Sequence, residues 1–467
     1  MQVFTYSGAR FSPYGDEQRP GDSAALPDDG DWLAPRATGP LAARVSLPGS
    51  KSLTNRELVL SALADGPSLL RRPLHSRDSM LMIEALRSLG VQIEQVAGDG
   101  AYGPDLRITP PAELSGSTSI DCGLAGTVMR FLPPVAALAL GPVAFDGDEA
   151  ARRRPMRTTI DSLRALGVDV NDDGRGTLPF SLWGAGAVRG GEIAIDASAS
   201  SQFVSGLLLA APRFTEGLVL RHTGERLPSM PHIEMTVAAL ADRGVTVESP
   251  EPGVWVVPSA PIRAREVAIE PDLSNAAPFL VAAVVAGGTV AVEGWPTSTT
   301  QVGADLETLL PRFGATVRRE GDALIVDGGA GLLGGARVPG VDLDLSTGGE
   351  LAPALVALAA LASSPSTITG IGHLRGHETD RLAALAAEIT GLGGACTELD
   401  EGLALEPRPL HGGPWRAHED HRMATAGAII GLAVDGVRVD DIGSTAKTLP
   451  QFPELWHGML DQGADPA

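Results

Sequence analysis

The sequence predicts an α/β protein of two similar domains, each built from three copies of one unit. A helix-like stretch that ends at a glycine and continues as a β-prone run recurs six times. A polar or glycine-rich segment that opens into an apolar helix recurs in phase with it. Three units fall before about residue 270 and three after it, so the repetition divides the chain in two.

The first repeated element reads LRSLGVQIE, LRALGVDVN, LADRGVTVE, LPRFGATVR, TGLGGACTE and MLDQGADPA, at intervals of roughly 75 residues. Its last two copies fit the pattern least well. We expect each unit to contain a buried helix, short strands and this second helix, which is more amphipathic than the buried one. The aligned glycines are Gly90, Gly167, Gly244, Gly314, Gly393 and Gly463.

The second repeated element is a helix that is apolar nearly all round, which predicts burial. Its copies span residues 50–64, 124–140, 198–211, 272–286, 347–362 and 420–434. Each begins in short polar residues, and a helix N-terminus presents free N–H groups and a partial positive charge. Several such helix starts facing one cleft would form an anion site.

Composition limits the classes of function. The net charge is −21, which argues against nucleic acid or an anionic membrane as a partner. With 43% hydrophobic residues, no long apolar run and no signal pattern, we expect a cytoplasmic protein. The sequence has two cysteines, Cys122 and Cys396, which are too few for a disulfide framework or for the ligands of a cysteine-based zinc site. Residues 1–37, rich in Pro, Gly and Asp, are predicted to form a flexible extension.

The basic residues suggest where an anion binds. Only two of the 36 basic residues are lysines, Lys51 and Lys447. Their presence is either chance or a sign that these two sites need an ammonium group, whose pKa shifts more readily than that of a guanidinium. Arg56, Arg130 and Arg422 lie near predicted helix starts, where a cation opposes the helix dipole unless an anion lies between them. The run ARRRPMRTT adds Arg152, Arg153, Arg154 and Arg157, of which we expect one or two to reach a ligand.

The segment LPGSKSLTNREL, residues 47–58, is not a nucleotide-binding P-loop. That loop needs a glycine directly before the lysine and another five residues earlier. Ser50 and Val45 occupy these two positions. Hydroxyl donors at this and other helix starts either cap the helix or bind the anion; they are Ser52, Thr127, Ser200 and Ser201.

Two glutamates are candidates for proton transfer. Glu350 follows two glycines at the start of an apolar helix, where the dipole alone favours a carboxylate or where it could serve as a base. In HETDRL, helical spacing would place His377, Glu378 and Arg381 on one face. That cluster suits proton transfer beside an anion, and a surface salt bridge is the alternative.

Taken in order, seven segments resemble the 5-enolpyruvylshikimate-3-phosphate synthase family (3-phosphoshikimate 1-carboxyvinyltransferases). They are PGSKSLTNR, LAGTVMR, RRRPM, SASSQF, HETDRL, DHRMA and STAKTLPQFP. The resemblance implies the enolpyruvyl transferase fold, an inside-out α/β barrel with three βαβαββ-type units per domain. The chain would cross between the domains near residues 48–51 and 270–272. The implied first domain is 38–49 plus 270–467, and the second is 50–269.

The resemblance also implies the reaction. The enolpyruvyl group of phosphoenolpyruvate passes to the 5-hydroxyl of shikimate 3-phosphate through a tetrahedral intermediate, and phosphate leaves. No metal or organic cofactor takes part, and the protein is expected to be a monomer whose domains close on the substrates. Because Gly126 has no side chain, the phosphoenolpyruvate pocket should accept the herbicide glyphosate.

By resemblance, Glu350 accepts the hydroxyl proton and Glu378 transfers a proton at the methylene carbon, with Lys51 and Lys447 flanking them. The implied contacts of shikimate 3-phosphate are Lys51, Ser52, Arg56, Ser200, Ser201, Gln202, Ser229, Glu350, His373 and His377. Those of phosphoenolpyruvate are Lys51, Gly126, Arg154, Gln202, Arg381, Arg422 and Lys447.

The sequence departs from the best-known members at Glu350, His377, His373, His232 and Leu124, where those have Asp, Lys, Asn, Tyr and Asn. These departures affect hydroxyl binding and the pH optimum, since histidine titrates near neutrality. The alternative enzyme is the UDP-N-acetylglucosamine enolpyruvyl transferase, which shares the fold and uses a loop cysteine as a proton donor. A non-catalytic anion-binding relative is another alternative. The acidic composition argues against an RNA 3′-phosphate cyclase.

Overall fold

The structure, a computed structural model, describes residues 31–98 and 100–462. Gly463 of the last repeat and residues 1–30 of the expected extension lie outside these ranges. The helices are α1 (Lys51–Ala62), α2 (Arg77–Ser88), α3 (Gly126–Ala136), α4 (Glu149–Arg152), α5 (Arg157–Ala165), α6 (Gln202–Ala210), α7 (Met230–Asp242), α8 (Leu273–Ala286), α9 (Leu306–Leu309), α10 (Ala352–Ala360), α11 (Arg381–Gly391), α12 (His421–Ala433) and α13 (Phe452–Gln462).

The strands are short and alternate with the helices, so the fold is mixed α/β. They are β1 (Trp32–Leu33), β2 (Leu41–Val45), β3 (Ser68–Arg71), β4 (Gln92–Val96), β5 (Asp105–Thr109), β6 (Thr118–Asp121), β7 (Leu140–Asp146), β8 (Asp169–Asn171), β9 (Phe180–Ala185), β10 (Gly191–Ile195), β11 (Leu218–His222), β12 (Val254–Val257), β13 (Glu266–Ala268), β14 (Gly288–Val292), β15 (Thr316–Glu320), β16 (Ala323–Asp327), β17 (Asp342–Asp344), β18 (Ser366–Thr369), β19 (Ala395–Leu399), β20 (Gly402–Glu406), β21 (Gly413–Trp415) and β22 (Val437–Val439).

These strands form small sheets that share one pairing pattern. Their orders are β13-β3-β5-β4, β6-β7-β9-β8, β10-β11-β12, β15-β16-β14-β2, β17-β18-β20-β19 and β1-β22-β21. Every sheet contains one parallel pair, such as β2 with β14 or β6 with β7. The second strand of that pair then takes an antiparallel neighbour, as β14 does with β16 and β7 with β9.

The apolar helices are buried, as their composition predicts. Every residue of α3, α8 and α10 is buried, including the prolines Pro133 and Pro134 inside α3 and Pro278 inside α8. A helix that is covered on all sides has no polar face to keep in water, and α8 and α10 accordingly lack a polar stripe.

The repeated glycines end helices in the left-handed region. The φ angles of Gly90, Gly167, Gly244, Gly314 and Gly393 are 93°, 84°, 84°, 91° and 88°. Only glycine adopts this conformation without a steric penalty from Cβ, which explains its recurrence at this place. Two details of the predicted unit are wrong. The β-prone run directly after Gly244 forms no strand and makes only an isolated bridge, between Glu248 and Val256. The helix before Gly314 is broken into short pieces.

Two separate hydrophobic cores lie in the described chain. One is formed by residues within 32–47 and 273–459, and the other by residues within 58–269. The chain passes between them twice, side by side, where Ser50 N donates to Glu270 O (2.7 Å) and Asp272 N donates to Pro48 O (2.9 Å). We propose that each core belongs to one domain.

The expected extension ends before residue 37. Trp32 and Leu33 form β1 against β22, and the Ala34 N–H donates to Val437 O (2.9 Å). Trp32, Ala34 and Ala37 are buried in the first core. Burying these apolar side chains stabilises the segment on the surface of the fold, an effect that its Pro, Gly and Asp content did not indicate.

Candidate active site between the two cores

The buried helices begin around one cavity between the two cores. Residues at the starts of α1, α3, α6, α8 and α12 line it, and Glu350 joins them just before α10. Because each helix start carries a partial positive charge, their convergence favours anions. The sequence-predicted residues that line the cavity are Lys51, Ser52, Gly126, Arg154, Ser200, Ser201, Gln202, Ser229, Glu350, His373, His377, Glu378, Arg381 and Arg422.

One carboxylate joins two helix starts beneath the cavity. Asp272 Oδ1 accepts from Asn275 N (3.0 Å) at the start of α8. Its Oδ2 accepts from Lys51 N (3.0 Å), the first residue of α1. Asp272 therefore caps helices of both cores where the chain crosses between them, and burial raises the pKa of its carboxyl.

Two guanidinium groups and a side-chain amide surround Gly126 at the start of α3. A Cβ built on Gly126 would lie 3.0 Å from Gln202 Oε1 and 3.1 Å from both Arg130 Nη1 and Arg154 Nη2. Two guanidinium groups thus meet at a helix N-terminus. Like charges repel, so a bound anion beside Gly126 would stabilise the arrangement.

The electrostatics of Arg130 agree with that conclusion. Its side chain is buried, and burial together with the nearby Arg154 lowers its pKa well below the usual value. In the described structure Arg130 Nε, Arg154 Nε and Gln202 Oε1 have no hydrogen-bond partner. Buried polar groups normally have one, so these atoms mark a ligand position.

A second cationic cluster holds Glu378. Arg381 Nη2 is 3.0 Å from Glu378 Oε2, and the same guanidinium pairs with Asp420 through Nε (2.7 Å). Lys447 Nζ donates to Glu378 Oε1. Burial raises the pKa of Glu378, but Lys447, Arg381 and Arg154 outweigh it and hold that pKa well below its usual value. Burial lowers the pKa of Lys447. Lys447 itself lies behind Glu378 and does not line the cavity.

The predicted helical face at HETDRL is wrong in its geometry. Helix α11 begins only at Arg381, because Asp380 caps it by accepting from Ala383 N (3.1 Å). His377 and Glu378 precede the helix in irregular chain. They nevertheless reach the guanidinium of Arg381, with His377 Nδ1 3.5 Å from Nη1. The capping aspartate, not helical periodicity, brings these side chains together.

Glu350 lies in a one-turn 3₁₀ segment, Gly349–Leu351, that leads into α10. Ser274 Oγ donates to its Oε1, and His232 Nε2 lies 3.1 Å from its Oε2. Arg422 Nη2 is 3.9 Å from the same oxygen. Burial alone would raise the pKa of Glu350, but His232, Arg422 and Ser274 hold it below its usual value. The carboxylate is thus charged and held by donors, as a hydroxyl-proton acceptor requires.

His373 and His377 beside the cavity are neutral near pH 7. Burial and the adjacent Arg381 lower the pKa of His377 well below its usual value, and they lower the pKa of His373 to about 4. A neutral imidazole offers one donor and one acceptor and no charge.

Arg56 does not line the cavity. Its Nε donates to Thr236 Oγ1 (2.8 Å), its Nη1 to Ser52 O (2.9 Å) and its Nη2 to His232 O (2.8 Å). The guanidinium is buried against the Phe131 ring, and burial lowers its pKa to about 9. In this arrangement it supports Ser52 and His232 from behind.

Several lining residues were not assigned to the site from the sequence. Arg130 and Thr127 stood at a predicted helix start, which was a signal. Ser274 also lies in the first turn of a predicted apolar helix. His421 lies in DHRMA at a predicted helix start, Thr448 lies in STAKTLPQFP, and His232 was noted only as a departure from the family. No local pattern marks Gln301, which reaches the cavity through the fold.

The fold and the site together are typical of an enzyme for anionic substrates, because helix starts, guanidinium groups and buried carboxylates meet at one cavity. None of the helices described is long and apolar enough to cross a membrane. The sequence matches the family described as EPSP synthase (3-phosphoshikimate 1-carboxyvinyltransferase) over residues 35–456. The chain belongs to this family.

A curated relative and solved structures agree with that membership. The chain is 56% identical over 430 residues to the 3-phosphoshikimate 1-carboxyvinyltransferase of Kocuria rhizophila, covering 91% of this chain and 95% of the relative. It resembles the EPSP synthase structure from Acinetobacter baumannii with a TM-score of 0.73 at 24% identity, covering 91% of this chain and 97% of that one. The enolpyruvyl transferase NikO from Streptomyces tendae gives 0.70 at 19% identity, covering 93% and 98%. These two structural likenesses show the fold.

Proposed function

We propose that the cavity transfers the enolpyruvyl group of phosphoenolpyruvate to the 5-hydroxyl of shikimate 3-phosphate and releases phosphate. Family membership gives the chain 3-phosphoshikimate 1-carboxyvinyltransferase activity, a transferase step of the shikimate pathway. The observation that carries the placement of the substrates is the pair of guanidinium groups around Gly126, which face the cavity beside Glu350 and Glu378.

The phosphate of phosphoenolpyruvate lies between Arg154, Arg130 and the start of α3, with Lys51 and Gln202 beside it. Its carboxylate faces Arg381 and Arg422, close to Lys447. Unpaired buried donors and charge-assisted hydrogen bonds favour these positions. The 3-phosphate of the acceptor binds at the hydroxyl-lined side of the cavity, near the start of α6. The hydroxyl groups on this side belong to Ser200, Ser201, Ser229 and Ser52.

The acceptor hydroxyl attacks C2 of phosphoenolpyruvate while its methylene carbon gains a proton, which gives a tetrahedral intermediate. Glu350 accepts the hydroxyl proton. Lys447, whose pKa burial lowers, supplies the carbon proton through Glu378, to which it is hydrogen-bonded. In the second step the methyl group returns one proton to the Glu378–Lys447 pair, the C2–O bond to phosphate breaks, and phosphate leaves with the hydroxyl proton that Glu350 had accepted. Fixed charges in a water-poor site provide most of the stabilisation of the transition state.

The alternative acceptor, UDP-N-acetylglucosamine, receives less support. The cysteine that the sister family uses has no counterpart here, because neither Cys122 nor Cys396 lines the cavity. Burial raises the pKa of both thiols, that of Cys396 to about 12. We also propose that the chain has two domains, each an inside-out barrel of three repeats. The enzyme is proposed to be a cytoplasmic monomer that uses no cofactor.

A pair of neighbouring arginines tests the site. Arg154→Gln removes a buried guanidinium of the anion pocket, and the KM for phosphoenolpyruvate should rise by at least about tenfold. Arg153→Gln is the matched control, because Arg153 is exposed and, among residues 31–98 and 100–462, forms an ion pair only with Glu149 (3.1 Å). Equal effects of the two substitutions on the formation of 5-enolpyruvylshikimate 3-phosphate would contradict the assignment.

A further inference from the structure

His232 reaches the catalytic carboxylate across the cleft. It lies in the first turn of α7, which packs in the 58–269 core, whereas Glu350 precedes α10 in the other core. His232 Nε2 and Glu350 Oε2 are 3.1 Å apart. Because an ionised carboxylate only accepts hydrogen bonds, Nε2 carries the proton and donates it. The hydrogen bond therefore exists only when the two sides of the cleft meet.

The segment that carries His232 touches the opposite side at two further points. Ser229 N donates to Ser346 O (3.2 Å), and Arg226 Nη1 is 2.7 Å from Glu401 Oε2. Ser229 has a φ of 55°, which is uncommon for a residue other than glycine. Residues 226, 229 and 232 thus each contact the other half, and a closing movement would form these contacts together.

The other groups that hold Glu350 come from its own half. Ser274 Oγ donates to Oε1 and Arg422 Nη2 lies 3.9 Å from Oε2. The backbone of His232 is fixed in turn, because its carbonyl oxygen accepts from Arg56 Nη2 (2.8 Å) and Thr236 Oγ1 (3.0 Å). The imidazole thus approaches the carboxylate from a supported position.

We propose that His232 is a positioning residue for Glu350. Closure brings the Nε2–H of His232 onto the carboxylate and fixes the oxygen that takes the hydroxyl proton. The inference rests on the proposed function, in which Glu350 is the base. A base that is aligned only in the closed cleft couples the chemistry to the presence of both substrates.

The proposal predicts a change in the pH profile. The titratable and charged groups that face Glu350 are His232 from α7, Arg422 from α12, Arg56 from α1, Arg381 from α11 and Asp272 before α8. His232 and Arg422 lower the pKa of Glu350, so removal of the imidazole raises that pKa. Since the base acts when deprotonated, the acid limb of kcat moves to higher pH.

The test compares three variants in steady-state kinetics across pH. His232→Phe should lower kcat about 10- to 100-fold while the KM for shikimate 3-phosphate changes much less, because a misplaced base costs chemistry more than binding. His232→Gln keeps an N–H donor and should recover most of kcat. Arg226→Gln breaks the exposed cross-cleft ion pair without touching Glu350, so it should leave the acid limb in place.

A kcat of His232→Phe within twofold of the wild type would overturn the proposal. So would an Arg226→Gln profile identical to that of His232→Phe, because the role would then be closure alone. A carboxyl ¹³C titration of Glu350, identified with Glu350→Gln, gives a readout without turnover. An unchanged pKa of Glu350 in His232→Phe, both free and with shikimate 3-phosphate, would overturn the proposal even if the wild type is active. A wild type that does not turn over would refute the function alone.

Discussion

Gly126→Ala tests whether the space beside α3 is an anion pocket. The added Cβ would lie 3.0–3.1 Å from Gln202 Oε1, Arg130 Nη1 and Arg154 Nη2, so these groups must move by a few tenths of an ångström. The groups displaced are those proposed to hold the phosphate. Loss of one charge-assisted hydrogen bond costs about 1.5–3 kcal/mol, roughly a 10- to 150-fold loss in affinity for phosphoenolpyruvate.

The assay is the KM of each substrate in steady state, with glyphosate inhibition alongside. Glyphosate should compete with phosphoenolpyruvate, and its inhibition should weaken in the variant together with phosphoenolpyruvate binding. The KM for shikimate 3-phosphate should change much less than the KM for phosphoenolpyruvate. An unchanged KM for phosphoenolpyruvate would refute the reasoning. Gly458→Ala in α13 is the control, since its Cβ would meet nothing within 4 Å.

Further predictions concern buried charges and the crossing between the halves. Arg130→Met should weaken phosphoenolpyruvate binding yet raise the melting temperature of the ligand-free protein, because a buried cation without a counter-ion costs several kcal/mol, in order of magnitude. Lys447→Met removes the cation that most lowers the pKa of Glu378, so this depressed pKa rises. The stability that the ionised Glu378 contributes is lost as pH falls through its folded pKa, so urea unfolding should show the loss beginning at higher pH. Asp272→Ala should destabilise the fold by about 1–2 kcal/mol per lost cap, measured by urea unfolding. Shikimate 3-phosphate should reduce the radius of gyration in small-angle scattering, and an unchanged radius would count against closure.

The buried helices and their convergence on anions could be read from the sequence. Segments such as 272–286 contain so few polar residues that only a buried helix suits them. A glycine such as Gly90 marks the end of a helix, because the left-handed conformation found there is easy only for glycine. Lys51 and Arg154 were predicted from the segments PGSKSLTNR and RRRPM. Lys51 is the first residue of α1, and Arg154 lies in the bend between α4 and α5.

Properties that depend on distant packing could not be read locally. The charge of His377 depends on burial beside Arg381, and the position of Lys447 behind Glu378 depends on a segment 69 residues away. Arg56 lies at a helix start, yet acceptors from α6 and α7 occupy its donors. The sequence contains the charges, but their solvation and partners are set by the tertiary fold.

The most direct test of the account is phosphate release from phosphoenolpyruvate with each of two acceptors. The protein is mixed with shikimate 3-phosphate in one reaction and with UDP-N-acetylglucosamine in the other, with Arg153→Gln and Arg154→Gln measured in parallel. The account predicts release that requires shikimate 3-phosphate, is retained in Arg153→Gln and is strongly reduced in Arg154→Gln. Release only with the nucleotide sugar, or none with either acceptor from folded protein, would contradict it.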